Sequence, residues 1–254
     1  MRLTVLGRWG GYPAPGGACP GYLVEEGGVF LLVDCGNGAF SRLQHHCRAS
    51  TLSTVILSHL HSDHVVDLYP LRLALEFAMY PEPSHIHLPV YAPEGAPAVL
   101  TSLLIPQASK ERFLEFLKFH PIDPSRSLSL GPFRITFAPV IHTIPTFAIK
   151  IESAGRQLVY SADTAPCDLL EGLASGADLF LCEATLREQE AHLSSQVGHL
   201  TGRMAGVIAR RAGVRRLLLT HFFPTNLPEE SAGEAAKEFS GEILIAEEGR
   251  TYEV

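Results

Sequence analysis

Apolar residues in this chain gather in short runs separated by Gly, Pro, Asn, Asp and His, and the runs differ in period. Residues 2–6, 22–26 and 29–33 alternate or run apolar over strand lengths, and Gly27-Gly28 between the last two predicts a tight hairpin. A helix follows over 40–47, a short buried strand over 55–57, and a mostly apolar helix over 71–79 with Pro70 near its first turn. A helix that apolar predicts burial on more than one side, as at the interface of a homodimer. Next come a strand over 88–91 and two short helices within 94–120, with Leu114, Phe116, Leu117 and Phe119 supplying apolar faces. Strands over 133–140, 147–152 and 157–160 precede a helix over 166–174, a strand over 178–182 and a helix over 200–212. A strand over 215–219, a helix over 229–239 and a final hairpin over 242–253 complete the pattern. No linker, charge block or low-complexity tract divides the chain. Residues 1–254 therefore read as a single domain of two structurally similar halves, with helices outside a sheet.

One apolar run ends in unusual chemistry. In Val55-Ile56-Leu57-Ser58-His59-Leu60-His61-Ser62-Asp63-His64, four metal-ligand types, His59, His61, Asp63 and His64, fall within six residues. Alternate side chains of an extended segment share a face, so His59 and His61 can grip one ion together. Asp63 and His64 lie past the strand end, where the chain must turn, and can point to a second position. Imidazole and carboxylate suit zinc and neighbouring first-row ions. The competing reading is a histidine-rich polar loop, but only twelve histidines occur in the whole chain. Three further ligand types stand just beyond apolar strands: His142, Asp163 and His221. That is where sites collect in α/β proteins. Taken singly, each fits a strand-end hydrogen-bonding role equally well.

Composition narrows the partners. Hydrophobic residues make up 46% and charged residues 19%, as in a folded soluble protein. The net charge of −7 supplies no bulk attraction to nucleic acid or to an anionic membrane. No apolar stretch is long enough to span a bilayer, and the first residues do not read as a signal peptide. Five scattered cysteines without a CxxC pair predict reduced thiols and a cytoplasmic location. Cys35 and Cys182 end apolar runs and read as packing residues. His85 and His87 read as surface or strand-end residues. The loop over 7–17, rich in Gly and Pro, could wall a pocket, and its Trp9 reads equally as wall or surface anchor.

The stretch from His59 to His64 resembles the His-x-His-x-Asp-His signature of the metallo-β-lactamase superfamily, and few short motifs are more specific. The resemblance implies an α/β αββα sandwich, two mixed sheets face to face with helices outside. It also implies two divalent metal ions, zinc first among candidates and manganese or iron next. His59, His61 and His142 would hold one ion, and Asp63, His64 and His221 the other, with Asp163 bridging both. Two ions about 3.5–4 Å apart acidify a shared water and clamp the attacking and leaving oxygens. Asp63 would also accept a hydrogen bond from that water.

Further along, Cys182-Glu183-Ala184-Thr185, Gly198-His199-Leu200-Thr201 and Leu219-Thr220-His221-Phe222 resemble the ribonuclease Z branch, as does the order of elements across most of the chain. There a Glu and a non-ligand His act as a pair, which implies Glu183 and His199 here, with His199 as the acid that protonates the leaving oxygen. A helix-capping His199 and a solvent-facing Glu183 are the alternative. Two features depart from ribonuclease Z. The segment from Ile141 to Phe147 leaves no room for the long arm that grasps transfer RNA, and the N-terminal loop lacks a basic Pro-x-Lys-x-Arg-Asn segment. The chain looks more like the arm-less phosphodiesterases of this branch, which act on small or cyclic phosphodiesters. A transfer-RNA 3′ endonuclease is the nearest rival, and a lactone, thioester or β-lactam hydrolase the next, since fold alone does not fix substrate. A diiron redox module would carry Glu where His61 stands. A non-catalytic metal scaffold would not need a full set of seven ligands.

Overall fold

The computed structural model describes residues 1–77, 87–105 and 107–254. In its first half β1 (Arg2–Gly7), β2 (Gly21–Glu26) and β3 (Val29–Val33) form a meander, followed by α1 (Ala39–Leu43), β4 (Thr54–Ile56), α2 (Ser62–Val65) and α3 (Leu68–Phe77). Then come β5 (Leu88–Ala92), α4 (Ala96–Thr101), α5 (Gln107–Phe116) and β6 (Leu117–Pro121). The second half opens with β7 (Leu128–Leu130), β8 (Phe133–Pro139), β9 (Phe147–Ser153) and β10 (Arg156–Tyr160). It continues through α6 (Asp168–Leu173), β11 (Leu179–Glu183), α7 (Ser194–Val197), α8 (Gly202–Ala212) and β12 (Arg216–Thr220), and ends with α9 (Pro228–Ala235), β13 (Glu242–Ile245) and β14 (Thr251–Glu253). The β2–β3 connection is the two-residue hairpin that Gly27-Gly28 predicts, with φ of 57° and 80° that a side chain would oppose.

The strands make two seven-stranded sheets, in the orders β14-β1-β2-β3-β4-β5-β6 and β7-β8-β9-β10-β11-β12-β13. Both run antiparallel as far as their fourth strand and parallel beyond it, so the halves share one topology. Parallel strands buried on both faces need continuous apolar sequence, and β4 and β11 are buried at every position. Leu3, Tyr22, Leu31 and Ile56 of the first sheet pack against Ile135, Ile149, Leu158 and Leu218 of the second. The first sheet's outer face, at Leu32, Val55 and Val90, is covered by Leu43, Leu71, Leu75 and Phe113 of the helices. The second sheet's outer face, at Val159, Phe180 and Leu217, meets Leu170, Ala205, Ile208 and Ala235. These three apolar layers make the αββα sandwich expected from the sequence.

Three expectations need correction. Residues 117–121 are not the end of a helix but strand β6, paired in parallel with β5. Helical spacing holds only to Phe116. Beyond it Leu117 and Phe119 alternate with Lys118 and His120, a period of two that suits the sheet edge. The final hairpin does not form either: β13 pairs with β12, Leu218 opposite Leu244, whereas β14 pairs with β1, Leu3 opposite Tyr252. The turn at 247–250 reverses the chain, but it hands it from one sheet to the other. The first helix stops at Leu43, short of Cys47. Strand β7 had no counterpart in the sequence reading. In α3, Leu68, Leu71 and Leu75 are buried while Leu73 and Phe77 are exposed, so this chain alone covers one side of the helix. Residues 78–79 of that helix and His85 lie outside the described residues, and His87 is exposed, its Nδ1 2.7 Å from the Glu115 carbonyl. No helix among the described residues is long and apolar enough to cross a membrane.

Polar contacts also tie the sheets inside the sandwich, among them Tyr22 OH of β2, 2.8 Å from Thr220 Oγ1 of β12, both buried. Tyr22→Phe should lower stability by about 1–3 kcal/mol, because it leaves a buried hydroxyl without its partner. Urea unfolding reads this as a shift of midpoint at constant slope. An unchanged midpoint would mean that Thr220 finds another partner.

Candidate metal centre

Every ligand type singled out from the sequence lies at the same end of the sandwich. His59, His61, Asp63 and His64 follow β4, His142 follows β8, Asp163 follows β10 and His221 follows β12. The chain turns sharply at several of these strand ends, with Asp34, Ala162 and His221 in the left-handed region at φ of 55°, 52° and 57°. Such backbone costs on the order of 1–3 kcal/mol per residue and persists only where the surroundings impose it. Here it turns Asp163 and His221 inward. The Ser62–Val65 helix does the same for Asp63 and His64, which the sequence reading placed only in a turn.

Two sets result. Donor atoms of His59, His61, His142 and Asp163 lie within 4.8 Å of one another, as do those of Asp63, His64 and His221. His61 Nδ1 is 3.2 Å from His59 Nε2 and 3.1 Å from His142 Nε2. Asp163 Oδ2 joins the sets, 3.3 Å from His221 Nε2, 3.4 Å from His64 Nε2 and 3.6 Å from His59 Nε2. Asp63 Oδ2 faces the second set at 3.5 Å from His221 Nε2.

Outer nitrogens of four of the five rings are already engaged. His64 Nδ1 meets Asp34 Oδ2 at 2.8 Å, His142 Nδ1 the Gly198 carbonyl at 2.8 Å, and His221 Nδ1 Thr185 Oγ1 at 2.8 Å. His59 Nδ1 is 3.0 Å from Ser58 Oγ. Fixing one ring nitrogen selects the tautomer and leaves Nε2 as a lone-pair donor, the arrangement of metal-binding histidines. Burial pushes the pKa values of His59, His61 and His142 down, so these rings are neutral as ligands must be. For His64, burial is outweighed by Asp163, Asp34 and Asp63, and its pKa rises. Burial would raise the Asp163 carboxyl, but His221, His64 and His59 hold it well below the usual range. Asp163 Oδ1 is buried and accepts no hydrogen bond from the described residues. A nitrogen-and-carboxylate set with an orphaned buried oxygen at its centre fits a divalent cation.

Glu183 and His199 form the pair expected of them: His199 Nδ1 is 3.0 Å from Glu183 Oε1. The solvent-facing alternative fails, since Glu183 is fully buried. Its carboxylate also accepts from Thr164 N at 2.7 Å, Thr185 Oγ1 at 2.5 Å and Leu200 N at 3.2 Å. Nor does His199 cap the following helix, because Thr201 does, accepting from Met204 N at 3.2 Å. Burial lowers the His199 pKa, but Glu183 raises it further, to about 9. His199 also lies within 4.8 Å of donor atoms of Asp163 and His221. Its Nδ1 is engaged by Glu183, which leaves Nε2 as its free nitrogen.

Asp34 is not among the residues singled out from the sequence. Fully buried, it accepts from Ser58 N at 2.7 Å and Ser58 Oγ at 2.8 Å, and its Oδ2 also meets His64 Nδ1 and, at 3.0 Å, Tyr160 OH. The signal was present: a carboxylate just past an apolar strand, as for Asp163. Thr185 was missed too. The 7–17 loop does wall the site, with Gly11 N donating to Asp63 Oδ2 at 2.7 Å. A Cβ on Gly10 would come within 2.3 Å of the His221 ring, so only glycine passes there. Trp9 belongs to this wall: it bridges to Phe222 and packs under Arg8. All five cysteines are free, and Cys35 and Cys182 are buried in the outer apolar layers.

Residues 30–222 match the beta-lactamase superfamily domain. Over 253 residues, all of both chains, the protein is 34% identical to a probable metallo-hydrolase, YhfI, of Bacillus subtilis strain 168. The crystal structure of YhfI matches with a TM-score of 0.90 at 33% identity, over 100% of this chain and 99% of that one. A ribonuclease Z of Mycobacterium bovis strain BCG / Pasteur 1173P2 is 31% identical over 279 residues, 100% of this chain and 98% of the relative.

Asp34→Asn should weaken divalent-metal binding by about 10–100-fold, the usual cost of losing a ligand's orienting partner. Competition of apoprotein with a chromophoric chelator measures it. Unchanged affinity would show that His64 keeps its orientation without the carboxylate.

Proposed function

The chain belongs to the metallo-β-lactamase superfamily, in its ribonuclease Z-like branch, and on that premise we propose that this metallo-hydrolase cleaves phosphodiester bonds in a small substrate. His59, His61 and His142 would hold one divalent ion, Asp63, His64 and His221 a second, with Asp163 shared; zinc suits this nitrogen-rich set best. When bound, the ions supply the charge that acidifies water and neutralises phosphoryl oxygens. Asp63, half-buried and held by Gly11 N, is placed to orient that water.

The carrying observation is the Glu183–His199 pair at 3.0 Å beside both ligand sets. With Nδ1 engaged by Glu183, the second nitrogen of His199 can give a proton to a leaving oxygen. An alkoxide leaving from phosphorus needs that proton, whereas the thiolate leaving from a thioester does not. This favours a phosphodiester over a thioester, and comparison of activities across substrates separates it from a lactone or β-lactam.

Small size is supported by the site's borders. Residues 140–146 link β8 to β9 directly, leaving no arm beside His142. RNA binding draws on neutralising several phosphates, and a chain of net charge −7 has little to offer it. The ribonuclease Z relative favours the rival reading, a transfer-RNA 3′ endonuclease. Activity of zinc-loaded protein on cyclic and bis-aryl phosphodiesters, a lactone, a β-lactam and precursor transfer RNA separates the classes. Site-specific cleavage of the transfer RNA at physiological salt would promote the rival. The unpaired thiols fit a reducing compartment, which we take to be the cytoplasm.

Purified protein should carry close to two metals per chain, and Asp163→Ala should lose most of both, as elemental analysis would read. One tightly bound ion with full activity, unmoved by added metal, would reject the dinuclear reading. His199→Ala should cost about 10²–10⁴-fold in kcat on an alkyl leaving group, the range of general acid catalysis. The loss should be far smaller with p-nitrophenyl esters, whose phenolate leaves unprotonated, and metal content should hold. Equal losses on both substrates would assign His199 to positioning instead.

A further inference from the structure

The β1–β2 loop reaches over the second ligand set yet contributes no ligand side chain. Its contacts there are made by backbone: Gly11 N donates to Asp63 Oδ2 at 2.7 Å, and Gly10 N to the Phe222 carbonyl at 2.9 Å. What fixes the loop lies behind it. Arg8 N and Trp9 N both donate to the Ala18 carbonyl, at 3.0 and 3.1 Å, which closes the loop's base. Ala18 N in turn donates to Glu248 Oε1 at 2.7 Å. The other oxygen, Glu248 Oε2, pairs with Arg42 Nη2 at 2.9 Å, and Arg42 also donates to the Gly16 carbonyl. Glu248 sits in the turn where the chain passes from β13 to β14, and its side chain is only 13% exposed.

We infer that Glu248 is a positioning residue, which tunes the Asp63–His64–His221 set by latching the β1–β2 loop so that Gly11 N stays on Asp63. A carboxylate that accepts from both a backbone N–H and a guanidinium makes charge-assisted bonds stronger than neutral ones. They hold a segment with almost no regular structure of its own, whose ordering costs backbone entropy. Freed of the latch, the loop takes Gly11 N off Asp63, and a ligating carboxylate without its orienting donor binds its ion less well. The inference rests on the reading that this set holds a metal.

Zinc titration of apoprotein, with and without Glu248→Ala, tests it. The substitution should weaken binding about tenfold, the lower end of the range for an orienting partner. Glu248→Gln, which can still accept from Ala18 N, should recover part of that. In an Asp63→Ala background the same Glu248→Ala change should move the remaining affinity by less than about twofold, because coupled residues lose their effect when the partner is gone. Equal losses in both backgrounds would make Glu248 merely structural and overturn the latch. So would no loss in either, beside wild-type protein that binds zinc. Wild-type protein that takes up no zinc overturns the metal reading itself, and the latch with it.

Discussion

A buried carboxylate oxygen with nothing to accept governs this molecule. Asp163 lies at the centre of a pocket where several imidazoles and a second carboxylate converge, and its Oδ1 finds no donor among the described residues. Leaving a buried acceptor unsatisfied costs roughly 1–3 kcal/mol, and more when it is charged. Protonating the rings does not remove the problem. Each imidazolium added would repel its neighbours, with His59 and His64 ring centroids only 4.0 Å apart. A divalent cation meets both demands at once, satisfying the carboxylate and using the ring lone pairs that the outer hydrogen bonds have left pointing inward. The strained backbone at Ala162 and His221 is tolerable for the same reason, since it is the route by which those donors reach the centre.

The site belongs to neither half alone. His59 to His64 come from the first sheet's strand ends, and His142, Asp163 and His221 from the second's. The polar bonds that orient them also cross the gap. Asp34 at the end of β3 holds His64 and accepts from Tyr160 of β10, and Tyr22 reaches Thr220 one residue before His221. Tyr22 and Tyr160 pack on each other, ring centroids 5.0 Å apart. Sheet packing and ligand placement are thus set by the same residues, so a substitution there moves stability and metal affinity together.

This division explains what could be read from the sequence. The candidate ligands were legible because their chemistry is carried by residue type at strand ends, and the spacing from His59 to His64 is short enough to constrain geometry by itself. Most strands followed from short apolar runs, alternating or continuous. What escaped was decided by distant partners. Asp34 looks like any turn aspartate until His64, Ser58 and Tyr160, far apart in the chain, are seen around it. The segment over 242–253 carries a genuine turn, yet the choice between a hairpin and two sheets depends on which strand edge is vacant, and no local pattern encodes that. At 117–121 two periods overlap at Leu117, and the edge of β5 decides between them.

Exposure around the cluster gives the direction of approach. His59, His64, Asp163 and His221 are buried, so the back of both ligand sets is sealed by protein. His61 is half-buried, and the Asp63 and His199 side chains keep 12% and 15% of their surface. Whatever reacts must therefore enter on the side where these three meet solvent. Asp63 and His199 lie on that open side but are held by different partners, Gly11 N for one and Glu183 for the other. Asp63 and His199 are thus held in place independently of one another. The β1–β2 loop meets one of them and the β11 strand end holds the other, so two separate elements of the fold border the open side.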